Sequence, residues 1–211
     1  MDNDRDERKR PQHLRLVVNN PDKRNARPAT GEESFVSFEE LVAKRDGLRP
    51  DFYRGLGRWQ TRAYEKLEVQ LARRQWPYGL DPQHGRLVVI PAEVVCPETL
   101  EHGGTPQDEV LIFAADDPTG QGICLSLEMI LPFWSDDDAV MEDALFTAPI
   151  LPYGMLFLEE NRNDNYLDLI YRLSFPLFPS ALTTRLLERF FAVARYELAE
   201  TLAVLDAFPE A

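Results

Sequence analysis

Histidine and cysteine are the residues of this chain best suited to hold a transition metal, and it has three histidines and two cysteines. A zinc site gathers several such ligands, usually as pairs only a few residues apart. Cys96, His102 and Cys124 are the candidates that could converge, but no two of them have the spacing of a zinc finger or zinc ribbon. The sequence therefore predicts no metal site built from these residues.

Three asparagines at alternate positions, Asn161, Asn163 and Asn165, resemble the first ligands of a calcium-binding loop. Such a loop needs glycine at its sixth position and glutamate at its twelfth. This chain has Tyr166 and Arg172 at those positions. We therefore predict a hairpin turn here and not an ion site.

Neither nucleophilic catalysis nor nucleotide binding has a supporting motif. An α/β-hydrolase needs G-x-S-x-G, in which a sharp turn lifts the serine above the sheet, and no serine lies in that context. The triplet His102-Gly103-Gly104 is therefore interpreted as a loop. The same stretch lacks the spacing and the lysine of a phosphate-binding loop, and no G-x-G-x-x-G precedes a helix. We predict no catalytic residue, no cofactor and no enzymatic activity.

Carboxylates at 116–117, 136–138 and 159–160 could in principle act as general acid and base. The aspartates lie at a predicted turn and at a predicted helix start, where they have structural roles. Glu159 and Glu160 are neighbours in a predicted strand and point to opposite faces of it. The alternative that stays open is an enzyme, or a small-ligand or metal-binding protein, whose site combines carboxylates with His84 or His102.

Hydrophobic periodicity places these residues on a mixed set of helices and strands. Apolar residues recur at helical spacing from Trp59 to Leu71 and predict an amphipathic helix over 58–76. Ser135 and Ser180 are the predicted N-caps of two later helices. The later predicted elements are the strands 86–90, 109–115, 122–133, 153–160 and 166–177, and the helices 135–147 and 181–206.

The order of these elements predicts the fold class. From residue 58 onward the order is α-βββ-α-ββ-α, and clustered strands flanked by helices are typical of an α+β domain. We predict an antiparallel five-stranded sheet with its helices packed on one face. The domain spans residues 58–208.

The first part of the chain is organised differently. Residues 1–34 are polar and contain several prolines, so we predict a largely disordered N-terminal arm. Residues 35–57 hold a short helix and a linker. Ser37 and Glu40 fit a capping box at the start of that helix, and Gly47 is its predicted end.

Charge is unevenly distributed along the chain, whose net charge is −13. Residues 86–211 carry six arginines, no lysine and 22 carboxylates, a net of −16, whereas residues 1–28 have a net of +3. A surface of nearly one sign repels nucleic acid and anionic lipid and attracts basic partners. We predict a protein partner bound through the acidic surface, and no nucleic acid or membrane partner. A weaker basis exists for a basic arm over 1–28 that binds an acidic partner.

Localisation follows from the apolar segments and the cysteines. The longest apolar stretch, 123–134, is short and is interrupted by Glu128 and Pro132, so no transmembrane helix is expected. No apolar segment of signal-peptide type follows the first ten residues. Two cysteines without a C-x-x-C motif favour a reducing compartment. We therefore predict a cytoplasmic protein.

Four residues are candidates for an interaction surface. Leu187, Phe191 and Tyr196 lie around the last predicted helix, and the first two are off its main apolar row. Such a helix buries its second side either in a wider core of the same chain, with the helix at 38–43 packed on it, or against a second copy or partner. Glu128 interrupts an apolar strand on the face of Ser126, which is expected to be free of helices. It is either a solvated strand residue or a polar contact on a ligand-binding sheet.

The order of elements over residues 58–206 resembles the type III secretion chaperone-like fold. That fold includes the secretion chaperones and the bacterial sensory transduction regulator family often called YbjN. The residues that carry the resemblance are the helix around 59–76, the hairpin 155–177 and the final helix over 186–205. The resemblance implies a small, acidic, dimer-forming module that binds protein segments and performs no chemistry. The 57 residues before the helix and the loop 98–108 depart from the pattern of that family.

These observations predict a non-enzymatic protein-interaction module of chaperone-like or regulatory type. It would act in the cytoplasm as a homodimer and bind an unidentified protein partner.

Overall fold

The fold was determined from a computed structural model, which describes residues 37–91, 109–117, 121–133, 135, 137–160 and 167–206. The predicted disordered arm, the loop at 98–108 and the asparagine-rich turn at 161–165 lie outside these residues.

The central element is an antiparallel sheet of six strands, in the order β1-β2-β3-β4-β6-β5. The alternating pattern of buried residues along β3 and β4 shows that one face of the sheet carries most of the core. The strands are β1 (Tyr78–Asp81), β2 (Arg86–Val89), β3 (Val110–Asp116), β4 (Ile123–Ile130), β5 (Gly154–Glu160) and β6 (Leu167–Leu177).

The predicted α+β class is confirmed, but the predicted five-stranded sheet is wrong because β1 was missed. Pro77, Gly79 and Pro82 in this stretch are typical of a turn, yet the four residues between the prolines pair with β2. Gly79 is required by close packing here, since a Cβ on it would lie 2.5 Å from the Cβ of Leu41. The order from residue 58 onward is therefore α-ββββ-α-ββ-α.

Within the part of the chain that the structure describes, five α-helices accompany the sheet. The predicted cap at Ser37 is confirmed, because its hydroxyl oxygen accepts a hydrogen bond from the backbone N–H of Glu40 at 3.3 Å. The helices are α1 (Phe38–Ala43), α2 (Arg45–Tyr53), α3 (Arg58–Arg73), α4 (Asp138–Thr147) and α5 (Thr184–Asp206), and a short 3-10 turn spans Pro179–Ala181.

Three predicted helix boundaries are wrong. Gly47 does not end the first helix, because α2 continues through it and through Pro50, and the burial of Phe52 in the core stabilises this segment. The carboxylate of Asp137, rather than Ser135, caps α4 by accepting from the backbone N–H of Ala139 at 2.9 Å.

The start of α5 also differs from the prediction. Ser180 belongs to the short 3-10 turn, and α5 begins at Thr184. The hydroxyl of Thr183 accepts a hydrogen bond from the backbone N–H of Leu186 at 3.2 Å and so supplies the cap.

We predicted that the helices pack on one face of the sheet. This prediction is wrong, because they lie on both faces. Helices α3, α4 and α5 contribute to the main core together with Leu87 and Val89 of β2. Helix α1 instead packs Phe38 and Leu41 against Val88. Because neighbouring strand residues point to opposite faces, α1 covers the second face at the β1–β2 end.

Helix α3 also completes the hydrogen bonding at the end of β2. The buried Tyr64 hydroxyl donates to the carbonyl of Gly85 at 2.6 Å and accepts from the backbone N–H of Ala114 at 2.8 Å. Gln60 donates to the carbonyl of Ala114 at 3.0 Å. Burial raises the pKa of Tyr64 to about 12. The predicted amphipathic helix is confirmed, although it ends at Arg73 and not at residue 76, and Ala63, Leu67 and Leu71 of its apolar row are buried.

Within the described ranges, every helix is too short or too polar to cross a bilayer.

Candidate functional site

Two of the four predicted interaction residues lie inside the protein. Leu187 and Phe191 are buried in the main core. The ring of Phe191 packs edge-on against Trp76, with centroids 5.2 Å apart, and against Phe190 at 5.6 Å. The second apolar side of α5 is therefore covered by the chain itself. The expected partner for that side, the helix at 38–43, lies on the other face of the sheet.

Tyr196 has a different environment, since its side chain is 62% exposed. It lines a groove of about 320 Å³ between α5 and the segment that leads into β5. We call this feature the Tyr153–Tyr196 groove. Its lining residues are Pro152, Tyr153, Arg189, Ala192, Val193, Tyr196 and Glu197.

The floor of the groove is fixed by Glu197, which is 1% exposed. One carboxylate oxygen accepts from the backbone N–H of Tyr153 at 2.8 Å, and the other accepts from the Tyr171 hydroxyl at 2.8 Å. Gly154 allows this approach, because a Cβ there would lie 2.6 Å from Oε2 of Glu197. Burial, followed by the bond to Glu197, raises the pKa of Tyr171 above its ordinary value.

The walls of the groove are aromatic. Tyr153 is 53% exposed and its ring centroid lies 6.1 Å from that of Phe175. The Tyr153 hydroxyl accepts a hydrogen bond from Nη2 of Arg189 at 3.3 Å. Tyr153 is therefore held at its backbone and at its hydroxyl, while much of its ring faces solvent.

Further exposed apolar side chains lie close in sequence to Pro152 and Tyr153. Phe146 near the end of α4 and Ile150 in the connection to β5 are among the most exposed large apolar residues of the described chain. Met155, the second residue of β5, is also exposed. The segment from α4 into β5 thus carries an unusual share of exposed apolar surface.

Glu128 lies on the second face of the sheet, opposite Arg172 of β6. It forms an ion pair with the Arg172 guanidinium, which also stacks over the Phe157 ring at 4.7 Å. Burial raises the pKa of Glu128, and the charge of Arg172 opposes that shift. The Ser126 and Ser174 hydroxyls, at the next paired position on this face, are 2.9 Å apart. Glu128 is thus a half-buried, paired residue and not a freely solvated one.

The alternative site at His84 lies in the turn between β1 and β2. Nδ1 of His84 is 2.7 Å from Oδ2 of Asp81, and Nε of Arg86 is 2.9 Å from the same oxygen. The other Asp81 oxygen accepts from the backbone N–H of Gln83 at 3.1 Å. Burial opposes ionisation of Asp81, but the bonds from His84 and the charge of Arg86 hold its pKa below the ordinary value. This geometry closes a hairpin turn.

The described part of the chain holds no group of three or more His, Cys, Asp or Glu side chains arranged to bind a metal ion. Cys96 and His102 lie outside the described residues.

A second buried carboxylate, Glu68, was not singled out from the sequence. It accepts hydrogen bonds from both Nη atoms of Arg49 at 3.1 and 2.6 Å, from the Tyr78 hydroxyl at 2.9 Å and from Tyr53. Burial, then the bond to Glu68, raises the pKa of both tyrosines. Because its oxygens are all engaged within the chain, this cluster joins α2, α3 and β1 and is not a site for a ligand.

The groove residues other than Tyr196 were missed as a site. Tyr153 was assigned to a strand start by sequence pattern, and pattern alone does not show exposure. Glu197 carried no usable signal, because a carboxylate next to an apolar residue of a helix can be exposed, as Glu188 beside Leu187 is.

Comparison of the sequence with protein-family models and with curated proteins found no match.

Proposed function

We propose that this protein is a non-enzymatic interaction module and that the Tyr153–Tyr196 groove receives an apolar side chain of a protein partner. The observation that carries the proposal is the pair of tyrosines, each more than half exposed, on a groove whose floor is a buried hydrogen-bonded carboxylate. Tyrosine is enriched at protein interfaces because it buries a large ring and keeps a polar end.

The groove is suited to binding because it is already formed. Tyr153 is held by Glu197 and Arg189, so little conformational entropy is lost when a partner covers its ring. Ala192 and Val193 supply an apolar side to the groove. A partner that buries these surfaces gains about 25 cal/mol for each Å² of apolar area removed from water.

The acidic composition supports a basic partner. Residues 86–211 carry a net charge of −16, and the groove and β5 both belong to this part. Attraction between unlike surfaces accelerates association and weakens as salt is added. The chaperone-like or regulatory role, the cytoplasmic location and the homodimer belong to the same proposal. The role and the homodimer are what the resemblance in element order implies, and the location is proposed from the two cysteines without a C-x-x-C motif.

The test compares partner recovery by a groove variant and by a control variant at an exposed apolar residue outside the groove. The tagged full-length protein, Tyr196→Ala and Val69→Ala are used to capture proteins from the cell lysate of the source organism, followed by quantitative mass spectrometry. Val69 is an exposed apolar residue of α3 and does not line the groove. We expect recovery of the partner to fall about tenfold for Tyr196→Ala and to stay unchanged for Val69→Ala. Equal recovery by all three proteins would remove the groove as the binding site.

The second candidate function is an enzyme or metal-binding protein that uses Asp81 and His84. The observation in its favour is their contact at 2.7 Å, a distance at which an aspartate can orient a histidine. Elemental analysis of the purified protein and of His84→Ala tests it. A stoichiometric metal that is lost in His84→Ala would favour this candidate over the interaction module.

A further inference from the structure

Strand β5 forms one edge of the sheet. Its only strand partner in the described chain is β6, to which all seven of its residues are paired. The strand at the opposite edge, β1, packs against α1 and α2. Within the described residues no second strand pairs with β5, which α4 also contacts, so its outer backbone N–H and C=O groups can bind another extended segment.

The apolar part of the β5 edge, residues 154–158, lacks the usual protection against such pairing. Soluble proteins protect an edge with proline, charged side chains such as lysine, a bulge or a very short strand. The sequence of β5 is GMLFLEE, without proline or lysine. Its register with β6 is continuous from Gly154 to Glu160, so no bulge interrupts it.

The side chains of β5 divide into an apolar part and an acidic end. Met155, which is 54% exposed, and Phe157 lie on the second face of the sheet, and Leu156 and Leu158 lie on the helix-covered face. Glu159 and Glu160 are exposed at the end of the strand. An extended segment on this edge would contact apolar residues beside 155–158 and carboxylates beside 159–160.

Charge decides which occupant fits the edge. Glu159 and Glu160 place two exposed carboxylates at the end of β5. Arg172, the cation opposite Met155, is engaged with Glu128. A second copy of a chain with net charge −13 would bring further carboxylates to this end. A cationic segment would instead be attracted to it.

We infer that β5 binds an extended cationic segment of the partner protein by strand addition. The inference rests on the proposed function, since it names the chemistry of the partner. The segment lies antiparallel to β5, as every other pair in this sheet does, with apolar residues beside Met155 and Phe157 and basic residues beside Glu159 and Glu160. Main-chain hydrogen bonds supply affinity, and the two carboxylates select the sign of the charge.

The probe is a fluorescein-labelled peptide, Lys-Arg-Val-Val-Thr-Val-Ser, with blocked ends. In the antiparallel register its lysine and arginine lie opposite Glu160 and Glu159. Two control peptides carry either two glutamates in place of the basic pair or a proline in place of the second valine. Fluorescence anisotropy gives the dissociation constant with the full-length protein at low and high salt. Amide hydrogen exchange then locates the bound peptide, with added protection expected over residues 154–160.

Three protein variants separate the contribution of the strand edge to peptide binding from that of the two carboxylates. Met155→Lys places a cation on the edge and is expected to weaken peptide binding at least about tenfold. The double variant Glu159→Lys/Glu160→Lys is expected to weaken it about tenfold and to abolish its salt dependence. Glu65→Lys, at an exposed carboxylate of α3, which packs against β3, is the control and should change binding by less than about twofold. Circular dichroism verifies that each variant is folded.

The outcomes distinguish this inference from the proposed function. Peptide binding that survives both β5 variants, or protection outside residues 154–160, overturns the inference. Light scattering that shows a dimer, converted to monomer by Met155→Lys, also overturns it, because the occupant is then a second copy. If Tyr196→Ala loses the cellular partner while the β5 variants retain it, the groove proposal stands and the edge proposal falls. If the β5 variants lose it and Tyr196→Ala does not, the reverse holds.

Discussion

The carboxylate of Glu197 joins the last helix to the two strands at one side of the sheet. It accepts the Tyr171 hydroxyl and the backbone N–H of Tyr153, each at 2.8 Å, while the side chain is almost entirely buried. Both donors thus have a hydrogen-bond acceptor at a position with little access to solvent. The contact sets the position of Tyr153 and with it one wall of the groove.

Replacing Glu197 with alanine is expected to destabilise the protein by about 3 kcal/mol. The substitution leaves a buried hydroxyl and a buried backbone N–H without an acceptor, and each such group costs about 1–3 kcal/mol. Urea unfolding followed by circular dichroism measures the change. Glu200→Ala, an exposed carboxylate of the same helix, is the control and should cost less than about 0.5 kcal/mol. A similar small cost for Glu197→Ala would show that its hydrogen bonds are not needed for stability.

Two glycine substitutions are expected to have opposite effects. A Cβ on Gly154 would lie 2.6 Å from both the Glu197 carboxylate and the Tyr171 ring, which are buried and bonded to each other. Gly154→Ala is therefore expected to destabilise the protein by about 2 kcal/mol or more. Gly47 lies inside α2 and has open space around its Cα, so Gly47→Ala is expected to stabilise the protein by about 0.5–1 kcal/mol. The thermal unfolding midpoints of both variants test these two expectations. A Gly154→Ala variant that unfolds at a higher temperature than the unmodified protein would contradict the close contact at Gly154.

The strands with an apolar pattern bounded by turn residues could be predicted from the sequence, and the strand defined by tertiary contact could not. The strands β3 to β6 lie within three residues of the predicted bounds. Alternation is clear in β3, whereas β5 has no fully buried residue. Strand β1 carries turn residues on both sides, and its stability comes from pairing with β2 and from α1 packed on Gly79. Neither contact leaves a local pattern.

The site was only partly predictable for a similar reason. Leu187 and Phe191 were identified because they lie off the apolar row of the last helix, yet both are buried, and Phe191 is covered by Trp76. Tyr196 was identified as an aromatic residue of the same helix, and it is exposed. Which aromatic residue stays exposed depends on what packs beside it, and helical periodicity does not encode that. Tyr153 lies in a connection, where no periodic signal exists.

Acid is expected to remove the stabilisation provided by Asp81. Its pKa is held below the ordinary value in the folded protein, so the stabilising contribution is present above the unfolded pKa of about 3.9 and is lost as pH falls through the folded pKa. Asp81→Asn should therefore cost about 1–2 kcal/mol at pH 7, where four donors lose a charged acceptor, and much less at about pH 2. Urea unfolding at both pH values measures this. An equal cost at both would exclude the carboxylate charge as the cause.

Alkali is expected to destabilise the protein through Tyr64. Its pKa is about 12 in the folded state and about 10 when unfolded, so the unfolded chain loses this proton first as pH rises. Stability is then fully present below pH 10 and declines between about pH 10 and 12, by up to about 1.4 kcal/mol per pH unit for this one group. Tyr64→Phe is expected to be less stable at pH 7, since it removes the bonds to Gly85 and Ala114, but to lose stability less steeply over that range. Unfolding free energies of the unmodified protein and of Tyr64→Phe are measured from pH 8 to 12. If the two free energies fall equally steeply with pH, another tyrosine causes the loss of stability in alkali.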